Sequence, residues 1–393
     1  MDQNTIVGVI GAGTMGSGIA QVAAQAGHTC YLYDANSAAI ERALIGLRGT
    51  ITKLVEKGKF TPEQGIAIGD RLKPATNLKD LGSCGLVIEA IVEDLVIKKK
   101  VFAELETLVG EDAVLATNTS SLSVTAIAAA CKKPERVIGL HFFNPAPLLP
   151  LVEVVPGLQT ASELAASCTA IMKAWGKTPV VCKDTPGFIV NRVARPFYGE
   201  AIRIFEEGIA DMPTIDRAMK EVGGFKMGPF ELMDLIGNDI NFTVTKTVWE
   251  SFFFDPRYKP SFTQQRQVEA GWLGRKTGRG YYTYDQGQPQ VLVTPSEAKG
   301  DQHLLGSIHL RILVMLINEA ADALHLGVAN REDIDLAMTK GVNYPKGLLK
   351  WADDLGLPTC LAELEHLQAE YGEDRYRPSP LLRRLAAKGA AFY

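Results

Sequence analysis

Residues 5–25 read TIVGVIGAGTMGSGIAQVAAQ. A β-rich apolar run passes straight into Gly11-Ala12-Gly13-Thr14-Met15-Gly16 and then into small and apolar residues at helical spacing, which is a strand, a tight turn and a helix. Gly11 permits the turn, Gly13 leaves room for a pyrophosphate to approach the backbone, and Gly16 lets strand and helix pack closely. The helix start adds unpaired N–H groups and a partial positive charge. The whole turn, Gly11, Gly13, Thr14, Met15 and Gly16, is therefore assigned to a dinucleotide. Asp34, closing the next β-rich run TCYLYD, sharpens the assignment, because a carboxylate about twenty residues after the glycines accepts hydrogen bonds from ribose hydroxyls and repels a 2′-phosphate. NAD is favoured over NADP. The alternative for Asp34 is a plain strand-end turn residue.

Beyond that turn, short β-rich runs alternate with amphipathic stretches through GLVIEA and AVLATNT. That rhythm predicts a parallel sheet with helical crossovers, a Rossmann-type α/β domain. VIGLHFF, PLVEVV and TPVVC continue the pattern, so this domain is expected over residues 1–183. From Pro186 the sequence turns helical (GFIVNRVARPFYGEAIRIFEEG, PTIDRAMKEV), giving an all-α domain over 184–285. Residues 286–302, richer in Gln, Pro and Gly, read as a linker. A second helical domain over 303–393 repeats the first at a constant offset of 119 residues: Arg192, Glu200, Asp216, Gly228, Asp234 and Gly237 recur as Arg311, Glu319, Asp335, Gly347, Asp353 and Gly356. No gap is needed, so the unit is duplicated. Asn191 falls opposite Leu310, so the second copy reads as structural. An attached copy could cover an apolar face that the first would otherwise use for self-association.

The 393 residues suffice for two or three domains, and a net charge of −4 gives no basic field for nucleic acid or an anionic membrane. Six cysteines form no CxxC pair or dense framework and read as reduced packing residues. No basic leader precedes the first strand and no long apolar run capable of spanning a bilayer is expected, which points to the cytoplasm. The histidines outside position 141 show no HExxH or similar set, so no metal is predicted. His28, after Gly27, reads as a surface residue.

Two ionisable side chains stand in apolar stretches: His141 in RVIGLHFFNP and Glu153 in PLVEVV. An imidazole and a carboxylate that meet beside a nicotinamide make a base for taking a proton off an alcohol as its hydride leaves. Each also has an ordinary reading, a satisfied buried histidine and a glutamate on an edge strand.

At GAGTMGSGIA, NTSSLS, HFFNPAP, LVEVV, KDTPGFIVNR and MGPFELMDLIG the chain resembles the NAD-dependent L-3-hydroxyacyl-CoA dehydrogenases over essentially its whole length. Its second helical copy is most similar to the 3-hydroxyadipyl-CoA dehydrogenases of phenylacetate breakdown. The resemblance implies two copies of the family's all-α C-terminal domain, of the 6-phosphogluconate dehydrogenase C-terminal type, after the Rossmann domain. It gives His141 the role of general base and Glu153 that of orienting it. Ser120 matches the serine that bonds the substrate oxygen, and Asn191 the asparagine near the reacting groups. Ser120 could equally cap the helix starting near Ser123, and Asn191 could sit on an exposed helix face. The family pattern also puts Glu93 and Lys98 near the nicotinamide ribose, and part of a path for coenzyme A phosphates on Lys53 and Lys57; any of these lysines could instead be a solvated helix face. Two departures, Pro150 for a lysine before LVEV and Lys226 for a proline, put chain-length preference in question.

Arg195 lies four residues after Asn191, one turn on along a predicted common helix, where it could hold the distal carboxylate of a dicarboxylyl-CoA or make a surface ion pair. The expected activity is oxidation of an L-3-hydroxyacyl-CoA to the 3-oxoacyl-CoA, with 3-hydroxyadipyl-CoA and 3-hydroxybutyryl-CoA as alternative substrates. A dehydrogenase of free 3-hydroxy acids and a non-catalytic NAD-binding protein are the rivals. A homodimer or an internally pseudo-dimeric monomer is expected.

Overall fold

The computed structural model describes residues 4–286, 288–290 and 302–393. The chain divides into two compact units, Met1–Phe188 and Ile189–Tyr393, so both helical copies belong to one body.

In the first unit, strands β1 (Val7–Ile10), β2 (Cys30–Tyr33), β3 (Leu72–Pro74), β4 (Leu86–Glu89), β5 (Val114–Thr117), β6 (Val137–Phe142), β7 (Leu151–Pro156) and β8 (Thr178–Val181) form one sheet in the order β3-β2-β1-β4-β5-β6-β7-β8. Helices α1 (Thr14–Gln25), α2 (Ser37–Glu56), α3 (Pro62–Arg71), α4 (Leu95–Glu106), α5 (Val124–Ala128) and α6 (Ser162–Ala174) connect them. Side chains alternate across the pleat: Val7, Val9, Leu86 and Ile88 enter one core, and Ile10, Val87 and Leu115 the other. Both faces are thus buried, as a parallel sheet requires. The strand order reverses between β1 and β4, the point where doubly wound sheets bind nucleotides beyond the carboxyl ends of their strands.

The parallel reading fails at one place. β1 to β6 run parallel, but β7 returns antiparallel to β6, and β8 is parallel to β7. Only residues 143–150 join β6 to β7, too few for the crossover that a parallel neighbour needs. His28 also departs from expectation: it is buried, its Nδ1 lies 2.9 Å from the Thr5 carbonyl and its ring packs on Trp175.

The second unit carries α7 (Val190–Val193), α8 (Arg195–Glu206), α9 (Met212–Arg217), α10 (Pro229–Ile236), α11 (Asn238–Ser251) and α12 (Phe262–Glu269), then α13 (Gln302–His325), α14 (Arg331–Gly341), α15 (Leu348–Leu355), α16 (Leu357–Tyr371) and α17 (Pro380–Lys388). The expected linker begins as half of an antiparallel hairpin of β9 (Thr283–Asp285) and β10 (Gln288–Gln290); its residues 291–301 lie outside the described residues. Helix α13 is by length and composition apolar enough to cross a membrane, contrary to the sequence reading, but it is mostly buried as the core helix of this unit.

The duplication is repeated bond for bond. Asp216 accepts from the N–H groups of Phe230 and Glu231 at the start of α10, and Asp335 from those of Leu349 and Lys350 at the start of α15. The copies also grip each other reciprocally: Arg192 Nε donates to Glu319 at 2.6 Å and Arg311 Nε to Glu200 at 2.7 Å. Tyr258 and Tyr376 hydroxyls donate to the same two carboxylates. Residue i bonding j while the equivalent of j bonds the equivalent of i is the pattern of an isologous two-fold interface, here closed within one chain.

Candidate active site

The hairpin return of β7 creates the central pair. His141 and Glu153 are direct partners in the antiparallel register, so their side chains leave the same face of the sheet. His141 Nδ1 lies 2.7 Å from Glu153 Oε2, with His141 6% exposed and Glu153 0%. The ring also packs against Phe143 and Phe188, 4.4 and 5.9 Å between centroids. A carboxylate bonded at Nδ1 fixes the tautomer and leaves Nε2 as the nitrogen that can accept a proton.

The NTSSLS loop follows β5. Asn118 accepts from the Phe142 N–H at 2.8 Å through Oδ1, stitching this loop to the residue after His141. Ser120 sits two positions further on, where its N–H donates to Glu93 at 2.9 Å. It is not the cap of α5: that role belongs to Ser123, which accepts from Ala126, with Asp184 accepting from Val124 and Thr125. Asn191 lies on α7 in the second unit.

Lys98 is no solvated lysine. It is 1% exposed, and its ammonium lies 2.6 Å from Glu89 and 3.2 Å from Glu93. Burial pushes the Glu93 carboxyl up, but the Lys98 charge, the Thr119 hydroxyl and the Ser120 N–H outweigh it and hold Glu93 below the ordinary carboxylate range. Glu89, at the carboxyl end of β4, also accepts from Thr117 and Ile91. The sequence reading passed over it, although an acid ending the strand at the reversal point was the available signal.

At the glycine turn, Gly11 has φ +104°, and a Cβ there would come within 2.5 Å of the Ala90 carbonyl. A Cβ on Gly16 would collide with the Gly11 carbonyl, whereas one on Gly13 would meet open space. The start of α1, which carries Thr14 and Met15, has no side-chain cap. The Asp34 carboxylate at the end of β2 accepts from the Ala12 N–H at 2.8 Å. An open backbone approach, an uncapped helix start and a carboxylate at the neighbouring strand end suit a dinucleotide.

A model described as the 3-hydroxyacyl-CoA dehydrogenase NAD binding domain matches residues 6–185, and one for the C-terminal domain matches 187–284 and again 306–391. The chain belongs to the 3-hydroxyacyl-CoA dehydrogenase family. It is similar to the 3-hydroxyadipyl-CoA dehydrogenase of Escherichia coli K12, 41% identical over 97% of each chain, and that alignment spans 460 residues, so the relative carries residues this chain lacks. The solved 3-hydroxybutyryl-CoA dehydrogenase of Escherichia coli K12 is 40% identical over 98% of each chain with a TM-score of 0.91. The 3-hydroxybutyryl-CoA dehydrogenase of Clostridioides difficile is 43% identical, but 99% of it covers only 71% of this chain.

The remaining assigned cations differ in setting. Lys53 and Lys57 are exposed, one turn apart, at the end of α2. Beside them an open groove runs between α2 and α3, with Arg48 and Asp70 on its walls and Ile51, Val55 and Ile66 within. Arg195 does not continue the helix of Asn191: α7 ends at Val193 and α8 begins at Arg195, where Pro196 cannot supply a helical N–H. Nor is it a surface ion pair. It is buried, its Nη1 donates to Thr245, and its guanidinium lies 4.9 Å from the Tyr198 ring centre.

Proposed function

We propose that this chain oxidises an L-3-hydroxyacyl-CoA to the 3-oxoacyl-CoA, with His141 Nε2 taking the C3 hydroxyl proton. The observation that carries this reading is the buried His141–Glu153 pair at the carboxyl end of the sheet. NAD, when bound, supplies the hydride acceptor. Gly13 and the start of α1 would take its pyrophosphate, Asp34 its adenosine ribose, and Glu93 with Lys98 the ribose at the reacting end.

Proton removal leaves His141 as a cation, which the Glu153 carboxylate stabilises in place. Ser120 is assigned to the substrate oxygen, Asn191 to the neighbourhood of the reacting groups, and Lys53 and Lys57 to coenzyme A phosphates. A 3-hydroxyadipyl thioester is the favoured substrate, supported by full-length similarity to the Escherichia coli enzyme of that name; 3-hydroxybutyryl-CoA is the second reading, supported by the names of the other two relatives. We further read the chain as a cytoplasmic monomer whose second helical copy stands in for a partner subunit. NADH formation assayed across 3-hydroxybutyryl-, medium-chain 3-hydroxyacyl- and 3-hydroxyadipyl-CoA tests the activity. No NADH from any thioester would leave only a binding protein, and equal turnover of free 3-hydroxy acids would remove the role of coenzyme A.

A further inference from the structure

At the carboxyl ends of β4 and β5, where Glu89 and Thr117 are register partners, polar side chains close a hydrogen-bonded circuit. Lys98 donates to one Glu89 oxygen at 2.6 Å and the Thr117 hydroxyl to the other at 2.8 Å. The Thr117 hydroxyl accepts from the Thr119 N–H at 3.2 Å, and the Thr119 hydroxyl donates to Glu93 Oε1 at 2.5 Å. Glu93 Oε2 then lies 3.2 Å from the Lys98 ammonium, which returns the circuit to its start. Glu89, Lys98, Thr117 and Thr119 are each 1% exposed or less. Of the five, Glu93 alone reaches the surface.

The Thr119 hydroxyl works in both directions. While donating to Glu93 it accepts from the Leu122 N–H at 3.0 Å and, more weakly, from the Ser121 N–H at 3.4 Å, which occupies its one proton and both lone pairs. The same Glu93 oxygen accepts from the Ser120 N–H at 2.9 Å and the Ser121 N–H at 3.2 Å. The backbone of Ser120 is therefore pinned on the carboxylate that Thr119 aims, inside the turn that Thr119 closes. The Ser120 hydroxyl lies 3.4 Å from that oxygen. It is the longest bond the oxygen receives, and so the one most readily given up for another acceptor.

We propose that Thr119 is a positioning residue for Ser120, the serine assigned to the substrate oxygen. Burial keeps Thr119 from touching a ligand, so it acts through Glu93 and the turn to Leu122. The proposal rests on the activity proposed above. A valine at 119 keeps the shape but neither donates nor accepts. Glu93 would lose its shortest bond and the Leu122 N–H its acceptor, which frees Ser120 from a fixed place. A misplacement of about 1 Å at a reacting centre costs up to about a hundredfold in rate.

The test follows NADH formation from 3-hydroxybutyryl-CoA, well below each melting temperature, in the full chain. Thr119→Val and Thr119→Ala, both without the hydroxyl, are expected to lower kcat/KM for the thioester by about tenfold to a hundredfold. The KM for NAD should change by about twofold at most, because Lys98 still holds Glu93. Thr119→Ser keeps the hydroxyl and should recover most of the loss. In a Ser120→Ala background the cost of Thr119→Val should shrink to about twofold or less, since no hydroxyl is left to misplace. An equal cost in both backgrounds, a Thr119→Ser enzyme as slow as Thr119→Val, or a lower melting temperature with kcat/KM unchanged overturns the proposal and leaves Thr119 a purely structural residue. An inactive wild type refutes the activity and this role together, whereas an active wild type indifferent to Thr119→Val and Thr119→Ala refutes this role alone.

Discussion

An imidazole that accepts an alcohol proton becomes a cation, and in a buried setting that cation needs a fixed counter-charge. Glu153, 2.7 Å from Nδ1, is placed to be that charge in the proposed reaction. His141→Gln is therefore expected to lower kcat by about 10²–10⁴-fold, and Glu153→Gln, which keeps shape but not charge, by about 10²-fold with little change in KM for NAD; steady-state NADH formation measures both. Lys98 serves two acids, so Lys98→Met leaves Glu89 and Glu93 without their cation. Loss of a buried partner of this kind costs about 3 kcal/mol, read by urea unfolding, and a raised KM for NAD should accompany it. His141 and Glu153 could be picked from the apolar runs that hold them, because that is local information, while Lys98 came only from the family resemblance. Glu89 carried a local signal, an acid closing the strand at the reversal point, whereas Asn118 did not, since its partner, the Phe142 N–H, is brought to it only by a neighbouring strand distant in sequence.

Elements of the helical unit begin where an acid from another helix receives them. A Cβ on Gly347 would lie 2.3 Å from the Asp335 carboxyl carbon, so Gly347→Ala must push that carboxylate off the start of α15. A destabilisation of about 1–3 kcal/mol is expected, checked by thermal unfolding. Helix α13 brings His309 against Trp351, with its Nε2 buried and unbonded. Burial holds the His309 imidazole below its ordinary range. The unfolded chain then binds more protons than the folded one across that window. Stability rises with pH through it and is lost as pH falls below the ordinary histidine value of about 6.5. His309→Leu should flatten this slope in melting temperature between about pH 5 and 6.5. The helix of α13 was predictable from periodicity; its place as a mostly buried core helix was not, because composition alone does not separate a core helix from a membrane span.

For the second unit as a whole, the reciprocal bonds of Arg192 with Glu319 and Arg311 with Glu200 occupy equivalent surfaces of the two copies. A face so occupied is closed to another molecule, and the intact chain should sediment as a monomer at micromolar concentration; a concentration-dependent dimer would contradict this. Arg311→Met strands Glu200 and Glu207 together and is expected to cost about 3–5 kcal/mol, measured by chemical denaturation. Sequence by itself determined the glycine turn, the NAD cofactor and the duplicated helical unit, and singled out the histidine and glutamate as candidates, because each is written in short-range spacing or in a fixed repeat. Tertiary structure alone decided that β7 turns back on β6 to bring His141 onto Glu153, that Arg195, past the helix break before Pro196, is buried against Thr245 and Tyr198, and that the copies interlock. Those outcomes depend on loop length, a proline break and the pairing of buried charges, and such terms take a value only when distant segments meet.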